Sequence, residues 1–170
     1  MDKPLARPAP HDFTRRLPHI EGAGSPLFIT FATHGRKVLP EPARDIALRS
    51  ILHDHGVKMD LLCAVVMTDH VHILYVPLVD EAGAQYTKTE IIGAVKSASA
   101  HDINKRFGRR GPVWQDEFFD HVLRRVDNIE EKARYIAGNP VRKGLCSRPA
   151  EYPWLWINPG LSLNFDQFEG

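Results

Sequence analysis

The chain has 170 residues, 43% of them apolar and 25% charged, and its net charge of +1 says nothing by itself about nucleic acid. That length suits one soluble domain with a sizeable core. The longest apolar run, Leu61 to Met67, is too short for a bilayer, and Pro4, Pro8, Pro10 and Pro18 stand where a secretory leader needs an apolar core, so a cytoplasmic location is expected. Cys63 and Cys146 are too isolated to make a zinc site and read as reduced thiols.

In chain order, residues 1–25 are rich in Pro, Gly and charge and read as an irregular arm. Leu27 to Thr33 is β-branched and aromatic, which favours a strand. Pro40 and Pro42 open a helix that runs to about His55 with Ile46, Leu48, Ile51 and Leu52 at helical period, and Gly56 stops it. Val57 to Met67 reads as a central strand, because its later half is wholly apolar. Thr68-Asp69 links it tightly to a third strand, His70 to Val76, so these two pair antiparallel.

Thr87 to Phe107 has the pattern of a long amphipathic helix, with Ile91, Val95, Ala98 and Ile103 on one side and Gly108 as its stop. Val113 to about Leu123 is expected as a fourth strand, irregular at Asp116-Glu117. Asn128 to Glu131 resembles a capping box, and the helix it starts is expected to end near Gly138, ahead of Pro140. The segment from Ser147, with Trp154 and Trp156 among three prolines, is expected to pack irregularly over the domain. The order β-α-β-β-α-β-α predicts an α+β fold of the ferredoxin-like, split βαβ kind: an antiparallel sheet with two helices on one face, plus a C-terminal helix. The domain is expected over 26–157, with 158–170 as a tail.

Charge is unevenly spread. Residues 91–145 hold 11 of the 22 basic residues but only 7 of the 21 acidic ones, which leaves that segment at +4. Lys105, Arg106, Arg109 and Arg110 form its densest cluster. Such a patch suits a phosphate backbone, and equally a solvated helix end.

The chemistry resides in two short patterns. His70 and His72 alternate with Val71, so both imidazoles lie on one strand face, about 7 Å apart at the backbone. They can close on one divalent ion, or can be polar residues of a solvated edge. Tyr135 and Asn139 stand four apart on the last helix, beside the stripe Ile129, Ala133, Ile136 and Ala137. If strand and helix meet, two imidazoles, an amide oxygen and a phenol converge.

The strings Thr68-Asp69-His70-Val71-His72-Ile73-Leu74, Gly111-Pro112-Val113-Trp114-Gln115, Asp120-His121-Val122-Leu123-Arg124 and Tyr135 to Leu145 resemble the single-tyrosine HUH, or IS200-like, transposases. The Trp-Gln and Asp-His pairs are similar to the REP-associated tyrosine transposase branch. The likeness spans about Leu17 to Trp156. It implies His70, His72 and Asn139 as ligands of Mg²⁺ or Mn²⁺ and Tyr135 as the nucleophile. Asp69 and Gly138 depart from the usual strings, in which Asn is common at both places. Asp69 adds charge beside the metal, and Gly138 loosens the end of the catalytic helix.

The resemblance implies attack by Tyr135 on single-stranded DNA near a palindromic hairpin, a 5′-phosphotyrosine link and a free 3′-hydroxyl that can reverse the step. One tyrosine per chain implies a homodimer where two cuts are needed. A nucleoid-associated protein is then expected. Candidate backbone contacts are Lys96, Lys105, Arg106, Arg109, Arg110, Arg124, Arg134, Arg142 and Lys143. Trp114 and Phe118 offer rings for base stacking, with core packing the alternative for Trp114. His121 either reaches the site or simply occupies a strand. The competing readings are a transposase-derived hairpin binder without catalysis, and a hydrolase that uses the histidines and water.

Overall fold

The fold is described from a computed structural model, for residues 24–124, 128–163 and 165. Most of the predicted arm, and the end of the predicted tail, lie outside these residues. Five strands, β1 (Leu27–Ala32), β2 (Met59–Val66), β3 (His70–Pro77), β4 (Phe119–Val122) and β5 (Leu155–Ile157), form one sheet in the order β4-β1-β3-β2-β5. Every pairing is antiparallel. Three α-helices accompany it: α1 (Glu41–His53), α2 (Lys88–Phe107) and α3 (Ile129–Arg142). Among the described residues no helix is long and apolar enough to cross a membrane.

The α2 helix forms where its sequence signals it. Thr87 Oγ1 accepts the Glu90 N–H and the Glu90 carboxylate accepts the Thr87 N–H, a reciprocal cap, while Gly108 closes the other end at φ 60°. Its buried face is Ile91, Ile92, Val95, Ser99 and Ile103; Ala98, expected there, is exposed. Ser99 donates to the Val95 carbonyl and accepts the indole N–H of buried Trp114 at 2.9 Å. Trp114 is therefore part of the core, against Phe31.

That anchoring explains why the fourth strand is short. Of the expected Val113–Leu123 span, only Phe119–Val122 is a strand. Trp114 makes an isolated bridge to Thr33, and Lys96 Nζ donates to the Gln115 and Asp116 carbonyls, acceptors that a ladder would otherwise use. The last helix departs the other way: α3 continues through Pro140 to Arg142. Pro140 withdraws one N–H and is buried, yet the turn goes on, with the Lys143 N–H donating to the Asn139 carbonyl.

The segment after Ser147 is more ordered than expected. Leu155–Ile157 pairs with β2 and covers that edge of the sheet. Trp154 holds the segment to α1: its indole donates to Asp45 Oδ1 at 2.8 Å and the Arg44 guanidinium lies 3.8 Å over its ring. Tyr152 donates to the Val66 carbonyl. Trp154→Ala removes a buried indole, its hydrogen bond and the stacked guanidinium, and is expected to cost about 3–4 kcal/mol in urea-unfolding free energy.

Alternation along the strands gives the sheet two distinct faces. Phe31 and Asp120 face α2, where Lys96 and Lys88 meet them. Phe28, Thr30, His72 and Cys63 face α3. β3, which carries both histidines, is the central strand and is paired along both edges.

Candidate active site

The site forms where the start of β3 meets α3. Val71, Ile73 and Tyr75 turn into the core toward α2, which sends His70, His72 and Leu74 to the opposite face. The His70 and His72 rings stand 4.8 Å apart by centroid. α3 crosses this face and brings the Tyr135 ring to 6.2 Å from His72. Tyr135 remains 49% exposed, so its ring sits at the mouth of the site, with His72 buried beneath. Asn139 follows one turn along α3 and is buried.

Each imidazole is held by its inner nitrogen. Asp69 Oδ1 lies 2.7 Å from His70 Nδ1; since a carboxylate only accepts, Nδ1–H donates, which turns Nε2 away from Asp69. Thr30 Oγ1 is hydrogen-bonded to His72 Nδ1 at 2.7 Å, which fixes the ring orientation and leaves Nε2 on the side away from Thr30. Thr30 is the β1 residue paired with His72 across the ladder. Phe28, two residues earlier, stacks on the His72 ring at 5.4 Å and meets Tyr135 edge-on at 6.3 Å.

The electrostatics favour a neutral His72. Burial, then the positive charges of His70, Arg142 and Lys132, push its pKa down to about 3. For Asp69, burial opposes ionisation, but the hydrogen bond and charge of His70, with Arg36 behind it, more than offset this and lower its pKa. Arg36 reaches Asp69 Oδ2 at 3.6 Å from a turn in which both Gly35 and Arg36 have positive φ, 64° and 55°.

The two imidazoles share one face, and imidazole nitrogen is the donor type that Mn²⁺, Zn²⁺ or Fe²⁺ accepts and that Mg²⁺ accepts less readily. The described residues contain no group of three or more His, Cys, Asp and Glu arranged around one point. Asn139, buried on the same helix as Tyr135, carries an amide oxygen on the helix that crosses this face.

The basic candidates divide between two layers. Arg134, Arg142 and Lys143 belong to α3 or its end, with the tyrosine. Lys96, Lys105 and Arg106 are on α2, which covers the other face of the sheet, and Arg109 and Arg110 follow its C-terminus. Lys105 and Arg106 line a groove of about 910 Å³ between α1 and α2, together with Arg49 and Lys58. Lys96 is engaged with backbone carbonyls, and Arg124 is exposed just after β4.

Several residues at the site escape sequence reading. Lys132 places Nζ 4.9 Å from the Phe28 ring and 5.6 Å from the Tyr135 ring; its spacing of three from Tyr135 was the available signal. Thr30 and Phe28 carry no such signal, because only the β1–β3 register places them. His121 pairs with Phe28 across the β1–β4 ladder, which settles its face: it lies on the side of α3.

Residues 29–139 match the family model described as IS200-like transposase. No curated protein matches the chain. A REP-associated tyrosine transposase, solved bound to a REP hairpin, has a similar fold: TM-score 0.64 at 17% identity, over 84% of this chain and 87% of that one. A Deinococcus radiodurans R1 protein assigned as a transposase aligns at TM-score 0.48 and 22% identity, over 69% of this chain and 88% of that one.

Proposed function

Because the chain belongs to the IS200-like transposase family, we propose that it nicks and rejoins single-stranded DNA through a covalent bond to Tyr135. The observation that carries this reading is the exposed Tyr135 ring 6.2 Å from a buried, neutral imidazole whose neighbour is a second imidazole. A protein that only bound hairpins would have no use for that placement.

Tyr135 Oη bonds to phosphorus as the bond from phosphorus to the 3′-oxygen breaks. The phenol proton passes to solvent and the departing oxygen takes one up, leaving a free 3′-hydroxyl and a 5′-phosphotyrosine. Since the ester is retained, a 3′-hydroxyl can reverse the step without ATP. His70 and His72, with Asn139, would hold Mg²⁺ or Mn²⁺. That ion, when bound, draws charge from the oxygens of the scissile phosphate. Phe28 and Thr30 keep the His72 ring in place, and Asp69 does so for His70. The substrate is single-stranded DNA next to a palindromic hairpin, the element held by the REP-associated transposase of similar fold. Arg134 on α3 and Lys143 at its end share the helix of Tyr135 and are candidates for its backbone, with Lys105, Arg106, Arg109 and Arg110 a second basic group on and after α2. A pair of cuts would take two chains.

The test is a labelled hairpin oligonucleotide, taken from repeats flanking the gene, incubated with Mn²⁺ or Mg²⁺ and run on a denaturing gel. A slow-migrating adduct that protease collapses is the expected result. Shifted DNA on native gels with no adduct, across several hairpins and both metals, would leave a binding protein. Cleavage with no protein on the DNA would point to water as the nucleophile.

Asp69 bears separately on the metal. Asp69→Asn keeps an acceptor for His70 Nδ1–H but removes the negative charge, and Mn²⁺ affinity measured by calorimetry is expected to fall about tenfold. Unchanged affinity would confine Asp69 to holding the loop.

A further inference from the structure

An exposed phenol is a poorly aimed nucleophile. In a helix an aromatic side chain has two open χ1 wells, so an exposed tyrosine with nothing to hold it samples more than one direction. The ring is nevertheless fenced on several sides: His72 at 6.2 Å, the edge of Phe28 at 6.3 Å, and Lys132 Nζ at 5.6 Å from one turn earlier. The closest neighbour comes from the other direction. Arg142 reaches back seven residues along α3, donates from Nη2 to the Tyr135 carbonyl at 2.6 Å, and sets its guanidinium 4.5 Å from the Tyr135 ring centroid.

This reach depends on the helix passing through Pro140. Had α3 ended at Gly138, Arg142 would lie in the following loop, away from the tyrosine. Because the helix continues, Arg142 is two turns beyond Tyr135 and on the same side, as the spacing of seven requires. A guanidinium can then do two things at once. Its planar fork gives one N–H to the carbonyl, and its flat face covers the ring. A lysine ammonium, compact and without a plane, cannot do both.

We infer that Arg142 is the positioning residue of the nucleophile: anchored on the Tyr135 carbonyl, it lies across the phenol and holds it in the orientation that faces His70 and His72. The role rests on the transposase reading and replaces, for Arg142, the simple phosphate contact that its charge suggests.

Two measurements decide it. In the first, the chain is labelled with 3-fluorotyrosine and observed by ¹⁹F NMR without DNA or metal. There are four tyrosines, and Tyr135→Phe identifies the Tyr135 signal. Arg142→Ala and Arg142→Lys are each expected to move that signal and leave the other three in place. A Tyr135 signal unchanged in Arg142→Ala overturns the inference, whether or not the protein is active. In the second, single-turnover adduct formation is followed at saturating hairpin. Both variants are expected to be slower by about tenfold to a hundredfold, with hairpin Kd within threefold of the parent. A parent-like rate at saturation, with only Kd raised in Arg142→Ala and restored in Arg142→Lys, assigns Arg142 to the DNA backbone and overturns it. If the unaltered chain forms no adduct, the transposase reading falls, and the fluorine signal alone decides where Arg142 holds the ring.

Discussion

Tyr135→Phe is expected to lower adduct formation by at least about ten-thousandfold, to below detection, while hairpin Kd stays within about twofold. The substitution is unusually clean here. The ring stays, and with it the contacts to Phe28, His72, Lys132 and Arg142, all of which engage the ring and not the hydroxyl. Unfolding free energy should therefore change by less than about 0.5 kcal/mol. The other three tyrosines are poorly placed to substitute: Tyr75 and Tyr152 are buried, Tyr75 faces the opposite side of the sheet, and half-buried Tyr86 immediately precedes the cap of α2, the helix on that opposite side. An adduct that persists in Tyr135→Phe, mapped by mass spectrometry to another residue, would remove Tyr135 from the mechanism.

The second large effect concerns His72. His72→Ala is expected to abolish measurable Mn²⁺ binding and to slow adduct formation by about a hundredfold to a thousandfold, since it removes one of the two imidazole donors. His72 also ties stability to pH. Its pKa falls from 6.5 in the unfolded chain to about 3 in the fold, so the unfolded chain takes up a proton first as the pH drops. The neutral, buried imidazole costs nothing extra above the unfolded value, and stability is lost progressively as pH falls below about 6.5 toward 3. Between pH 7.5 and 5.0 the metal-free protein should lose about 2 kcal/mol on this account. His72→Gln should flatten that part of the pH dependence, measured by urea unfolding at both pH values. An identical slope in the variant would mean that burial of His72 is not what the acid sensitivity reports.

Features that depend on local chemistry were readable before any fold was known. The extent of α2 from Thr87 to Phe107, its stop at Gly108, and the shared face of His70 and His72 follow from spacing alone, whereas the reciprocal cap of Thr87 with Glu90 is a finding of the structure. The β-α-β-β-α-β-α order followed from hydrophobic period and punctuation, and the family strings pointed to the fold that the sheet displays. Features that depend on partners distant in sequence were not. A buried Ser99 replaces Ala98 because Trp114, fifteen residues on, needs an acceptor for its indole. In sequence Pro140 reads as a stop because its lost hydrogen bond is a local cost, whereas its burial is a property of packing. Thr30 and Phe28 look like ordinary strand residues until β1 pairs with β3. β5 was hidden in a proline-rich stretch because three residues are too few to show alternation. Within the site, the chemical groups were legible, and the residues that hold them still were not.

The contact between Thr30 and His72 has a consequence for assembly. Thr30 meets His72 only in the native register of β1 on β3. A slip of one residue would set Ile29 or Phe31 at that rung with its side chain on the far face, and the imidazole would lose the oxygen that orients it. A correctly threaded sheet and an imidazole ready to ligate are therefore one event. If the site holds Mn²⁺ as proposed, the stoichiometry of bound Mn²⁺ in a refolded preparation counts the molecules whose strands are in register, something a circular dichroism spectrum, blind to a one-residue slip, does not do.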